Sequence, residues 1–187
     1  MCALIDYQNK KQQQFLEIIN HASSGKITSD MVNDVEFIMS FLKTSNAINK
    51  LLNGDKVKFY GNLMVNGYWG EGDKISVDEF EEYLELINSF SYRELEYLSL
   101  FKKISDRYGG ILANQNWEMF RIEFQSKFPN RDVYSVFKRL QRTGFISEVV
   151  TTGDVEGEVL TLDVKCIGFK IEPEFVRFNE IVLKNVK

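Results

Sequence analysis

The chain has 187 residues, 44% hydrophobic and 13% aromatic, with a formal net charge of −4. That is long enough for one domain or two small ones with a self-sufficient core, and too apolar for a wholly disordered chain. Two cysteines far apart in sequence, Cys2 and Cys166, make neither a disulfide framework nor a zinc spacing and fit a reducing compartment.

From the N-terminus, Met-Cys-Ala-Leu-Ile-Asp soon turns polar and offers no signal-peptide core, and no stretch reaches the ~18 apolar residues of a membrane span. The spacing of Phe15, Ile18, Ile19 and Ala22 predicts a helix over 7–22, with residues 10–14 as a solvated approach. A second helix is expected from Thr28–Asp30. Met31, Val35, Ile38, Met39 and Leu42 form its apolar stripe, which predicts that this face is buried. Residues 55–68 fit a helix through Val57, Tyr60, Met64 and Tyr68, although short strands around Gly61-Asn62 fit nearly as well. Residues 67–74 read as a loop. Residues 78–88 read as a helix with Phe80, Tyr83, Leu84 and Ile87 inward and glutamates outward.

Ser91-Tyr92-Arg93-Glu94 has the spacing of a capping box, flanked by Phe90 and Leu95 as a hydrophobic staple. A helix follows to Tyr108 and stops at Gly109-Gly110. A second carries Trp117, Phe120, Phe124 and Phe128 on one stripe, and a third spans about 131–143 with Val133, Val136, Phe137 and Leu140 inward. The β-rich runs 145–150 and 158–166 are joined by a turn-forming sequence, 151–157. Beyond them, Pro173 suits a first helical position, with Phe175, Phe178 and Val182 as a last helical stripe, although residues 178–184 fit a strand equally well.

Three helices and a hairpin resemble a winged helix-turn-helix. The expected fold is mainly α (α+β), with an N-terminal helical region, 1–88, and a C-terminal winged-helix-like domain, 89–187, carrying a small antiparallel β-hairpin. The phrases Lys56 to Gly67, Asp78 to Leu84, Phe90 to Leu95 and Arg139 to Ile146 are similar to a group of bacterial and prophage proteins classed with abortive-infection proteins of the alpha type. That resemblance implies a helical N-terminal part, a winged-helix-like C-terminal part and no established enzymatic activity. It carries no catalytic residues over.

Sites of small-molecule chemistry are weak. Residues 73–80 imitate the second half of a calcium-binding loop, but Tyr68, Gly70 and Gly72 stand where side-chain oxygens are needed, so Ser76 or Asp78 is better read as a helix cap. Gly67, Gly70 and Gly72 lack the Lys and Ser/Thr of a phosphate cradle. His21, the one imidazole, has no nucleophile signature beside it. No catalytic, metal or cofactor site is expected.

The strongest candidate is a contact surface. Residues 91–144 carry ten basic and six acidic side chains, the one clearly basic segment. On the third helix, Arg131, Tyr134, Ser135, Lys138 and Arg142 fall on one outward stripe, with Arg139 beside it. Such a helix can enter a major groove, cations on phosphates and guanine edges. Against that stand Asp154, Glu156 and Glu158 at or near the hairpin tip and the acidic whole chain. The expectation is a non-enzymatic cytoplasmic protein of bacterial or phage origin that contacts a protein partner, in phage defence or counter-defence. The alternative is a duplex-DNA-binding regulator. No membrane role is expected, and the oligomeric state, a homodimer included, stays open.

Overall fold

The structure is a computed structural model, and residues 2–23, 33–70, 74–152 and 164–184 are described. It is mainly helical with a small antiparallel sheet. Two compact units appear: Met1–Leu95 with Phe178–Lys187, and Glu96–Arg177. The division falls within a helix, and the C-terminal stretch returns to the first unit.

The first unit is built around α3 (Val57–Trp69), whose first nine residues are buried except Lys58. It is helical straight through Gly61, because a Cβ there would stand 2.6 Å from Ile18 Cγ2; the missing side chain lets α1 (Cys2–Ser23) lie against it. The helix runs through Gly67, so the loop expected from 67 begins only at Gly70. Phe15 and Ile19 are buried as expected. Residues 10–14 are not uniformly solvated, however. Lys11 is buried, and its ammonium donates to the carbonyls of Ile48 (2.9 Å), Asn49 (3.2 Å) and Leu51 (2.7 Å). The carbonyls of Ile48 and Asn49 end α2 (Val35–Asn49) and that of Leu51 follows it, the end of a helix at which a cation is favoured.

The same device recurs twice. Lys56 donates to the Phe90 carbonyl at 2.6 Å, past the end of α4 (Val77–Ser89). Asn62 and Asn66 donate to Val182 (2.9 Å) and Ile181 (3.0 Å) in the π-helical turn Asn179–Leu183, which follows α8 (Pro173–Phe178). Burial lowers the affinity of both lysines for their protons. Pro173 opens α8, and Phe175, Phe178 and Val182 are buried, which resolves the last segment as helical.

One expected face is inverted. Val35, Ile38, Met39 and Leu42 of α2 face outward, and Phe37, Ser40, Thr44 and Ile48 face inward. Both sets have helical spacing. The inward set wins because its hydroxyls are satisfied: Thr44 donates to the Ser40 carbonyl (2.8 Å), and Tyr68 donates to Ser40 Oγ (2.9 Å). Phe37 then packs edge-on against Tyr68 and Trp69. Thr28–Met31 lie outside the described residues.

The capping box forms as expected, in the last residues before the second unit begins. Glu94 N–H donates to Ser91 Oγ (3.2 Å), and Ser91 N–H donates to Glu94 Oε2 (2.8 Å). Helix α5 (Tyr92–Ser105) follows, then a 3₁₀ turn, Asp106–Tyr108. Strand β1 (Ile111–Ala113) was not expected. After it come α6 (Gln115–Lys127), α7 (Val133–Leu140) with a 3₁₀ turn Gln141–Thr143, β2 (Ile146–Thr152) and β3 (Val164–Ile171). The second hairpin strand therefore continues past Cys166 to Ile171, and residues 158–163 lie outside the description.

The sheet order is β1-β3-β2, antiparallel throughout. Gly168 lies opposite Ala113, and a Cβ on it would stand 1.9 Å from the Leu112 carbonyl oxygen. Next to it a β-bulge falls between Val149 and Val150. Trp117, Phe120 and Phe124 of α6 meet Phe101, Phe137 and Phe169 at centroid separations of 5.1–6.3 Å, a core of edge-on and tilted rings.

Candidate contact surface on helix α7

Asp132 starts α7. Its carboxylate accepts from the Ser135 N–H (2.9 Å) and from the Ser135 hydroxyl. These hydrogen bonds, the hydroxyl's first, hold the Asp132 carboxyl below its usual range. Burial of Val133, Val136, Phe137 and Leu140 fixes the helix rotation, so all six predicted contact residues, Arg131, Tyr134, Ser135, Lys138, Arg139 and Arg142, are exposed. Only four of them sit in the α-helix. Arg131 precedes the cap and Arg142 lies in the 3₁₀ turn, so the stripe is shorter and more splayed than an uninterrupted helix would make it.

The stripe is also less purely cationic than its sequence. Glu148 stands opposite Phe169, which stands opposite Leu112; residues directly paired across an antiparallel sheet share a face, so the Glu148 carboxylate emerges on the helix-covered side. Its Oε1 is buried and ion-pairs with the Lys138 ammonium. Lys138 also lies 5.5 Å from the centre of the Tyr134 ring, and that ring meets Phe169 edge-on at 5.8 Å. Ser135 is committed to Asp132. Arg131 and Arg142 make no ion pair among the described residues. The face therefore offers an aromatic ring and arginines framed by two carboxylates. Asp154, Glu156 and Glu158 lie outside the described residues.

The sequence reading did not single out a second feature, a surface cleft of ≈ 590 Å³ between α2 and α4. Lys43, Lys50, Glu81, Glu85, Asn88 and Tyr60 are among its lining residues, and Lys43 pairs with Glu81. The Tyr60 hydroxyl donates to Asn88 Oδ1 (2.7 Å), and burial pushes its pKa up to about 12, which leaves it a neutral donor rather than a base. The cleft forms only when the two helices pack, so no motif announces it.

The remaining predicted features fall as follows. Ser76 caps α4, accepting from Glu79 N–H at 3.1 Å. His21 is exposed in the last turn of α1. Gly72 and Asp73 lie outside the description. Among the described residues, no group of three or more His, Cys, Asp or Glu could hold a metal, and no helix is long and apolar enough to cross a membrane. Comparison with family models, with curated proteins and with solved structures finds no match.

Proposed function

We propose that this is a non-enzymatic cytoplasmic protein in which residues 91–171 form a winged-helix unit, and that it works by binding another protein through the exposed face of α7. The element order supports the winged-helix reading. A helix, a short strand, two helices and a hairpin, with the first strand against the last, is the arrangement in which the third helix projects as a recognition element. The observation that favours protein over DNA is the Lys138–Glu148 ion pair. A phosphate approaching the middle of α7 meets a lysine already neutralised and a carboxylate beside it, whereas a protein surface of mixed charge can match both. The resemblance of short phrases to a group that includes abortive-infection proteins supports phage defence or counter-defence as the biological setting.

The second reading, a duplex-DNA-binding regulator, draws on the exposure of Arg131, Arg139 and Arg142. Titrating labelled duplex at physiological salt separates the two. The protein reading expects weak, sequence-indifferent binding lost at that salt, and capture of a partner that Lys138→Glu and Arg142→Glu both abolish. Nanomolar, sequence-selective duplex binding would establish the regulator instead.

A further inference from the structure

We infer that the outward face of α2 is a self-association surface, on which a second copy of this chain packs its own α2 antiparallel about a two-fold axis. The inference is independent of what α7 binds. Val35, Ile38, Met39 and Leu42 are 71, 39, 48 and 49% exposed, at positions i, i+3, i+4 and i+7 of one helix. That is a continuous apolar stripe of the kind that ordinarily faces a core. Leu16 of α1, 44% exposed, extends it. Gln12 bonds to Ser45 and Asn49, and the Phe15 ring meets Phe41, so the two helices run antiparallel and Leu16 lies alongside the middle of α2.

The pattern is its own mirror in sequence. With the axis between Ile38 and Met39, Val35 of one copy faces Leu42 of the other, and Ile38 faces Met39. An isologous two-fold contact requires such self-matching, which any stripe of this spacing supplies, so the charged flanks decide the occupant. The flanks match as well. Glu36 in the first turn and Lys43 two turns later lie on the α4 side of the stripe, where Lys74 and Glu81 are their intrachain partners. The antiparallel arrangement brings Glu36 of one copy beside Lys43 of the other, and it opposes the helix dipoles favourably. A membrane surface is a poorer occupant: an interfacial helix carries basic flanks, and this one opens with Asp34 and Glu36.

Sedimentation velocity on the full chain, over a concentration series into the high micromolar range, tests the proposal. Wild type is expected to show a monomer–dimer equilibrium. Ile38→Glu is expected to raise the dissociation constant about 10-fold or more. Val35→Glu, at the most exposed position of the stripe, is expected to weaken the dimer likewise and to leave the circular dichroism and melting temperature near wild type. Lys43→Glu and Glu36→Lys are each expected to weaken the dimer about 2–5-fold, and the two together to restore it. Three outcomes overturn the proposal: a wild type monomeric at every concentration, a dimer indifferent to Ile38→Glu, or a dimer lost instead with Arg142→Glu on α7. A monomer that captures a different protein, and loses it with Ile38→Glu, assigns the face to that partner.

Discussion

The Lys138 ammonium closes on the Glu148 carboxylate, tying the middle of α7 to β2. Because one Glu148 oxygen is buried, the pair is a local neutralisation of the candidate contact face rather than a loose surface contact. Glu148→Gln should free the lysine. The expected result is stronger non-specific binding to duplex at low salt, with the log–log salt slope steeper by ~0.9, the increment for one added phosphate contact. An unchanged slope in fluorescence anisotropy would mean that Lys138 does not reach the backbone.

Lys11 should be among the most sensitive positions in the first unit. Lys11→Met keeps the aliphatic stem but removes the donor to the carbonyls of Asn49 and Leu51 and one of the donors to Ile48, at an expected cost of about 2–4 kcal/mol in urea denaturation. Lys10→Met, at an exposed neighbour, should stay within about 0.5 kcal/mol. Equal losses would show that the carbonyls find water instead.

Tyr60 should make stability fall in alkali. In the unfolded chain its hydroxyl ionises near 10, whereas in the fold it holds its proton to about 12. The folded state therefore binds more protons between those values, and the contribution present below pH 10 is lost as pH rises toward 12. A shift of this size corresponds to roughly 2–3 kcal/mol. Tyr60→Phe cannot ionise, so the gap between the two chains across that window, followed by chemical denaturation, isolates the effect. Parallel curves would refute it.

Asn114 joins β1 to α6 at φ 53°, ψ −124°, a region suited to glycine. Its N–H donates to the Ile167 carbonyl at 3.0 Å, within the bulged stretch of β3. Asn114→Gly keeps that bond and relieves the strain, so it should raise stability by about 1 kcal/mol; Asn114→Val should lower it by about 1–2 kcal/mol. Thermal melts of both variants decide the sign.

How much could be read in advance depended on how local the cause was. The Ser91–Glu94 box and the ring stripe of α6 act within a turn or two of themselves, and they stand where the residues put them. The two apolar registers of α2 could not be separated in sequence. Val35–Leu42 is the stronger stripe by hydropathy, yet Ser40 and Thr44 go inside because Tyr68 and a local carbonyl supply their hydrogen bonds. Strand β1 is three residues long, too short to show alternation, and exists through its pairing with β3. Lys11 looked solvated because its acceptors lie 37 to 40 residues away. On α7 the six contact residues were legible from the helical period, whereas the partner of Lys138 depended on which face of the sheet Glu148 took.

The return of the last residues to the first unit has a consequence for the order of events on the ribosome. Asn62 reaches the Val182 carbonyl across 120 positions, and Asn66 reaches Ile181 across 115. The first unit thus lacks these acceptors until Ile181 and Val182 have been made, while the unit nested between its two parts ends at Arg177. Removing the chain from Phe178 onward should therefore expose α3 to protease and leave residues 96–177 protected; equal digestion of both would show that the terminal turn only decorates a unit already complete.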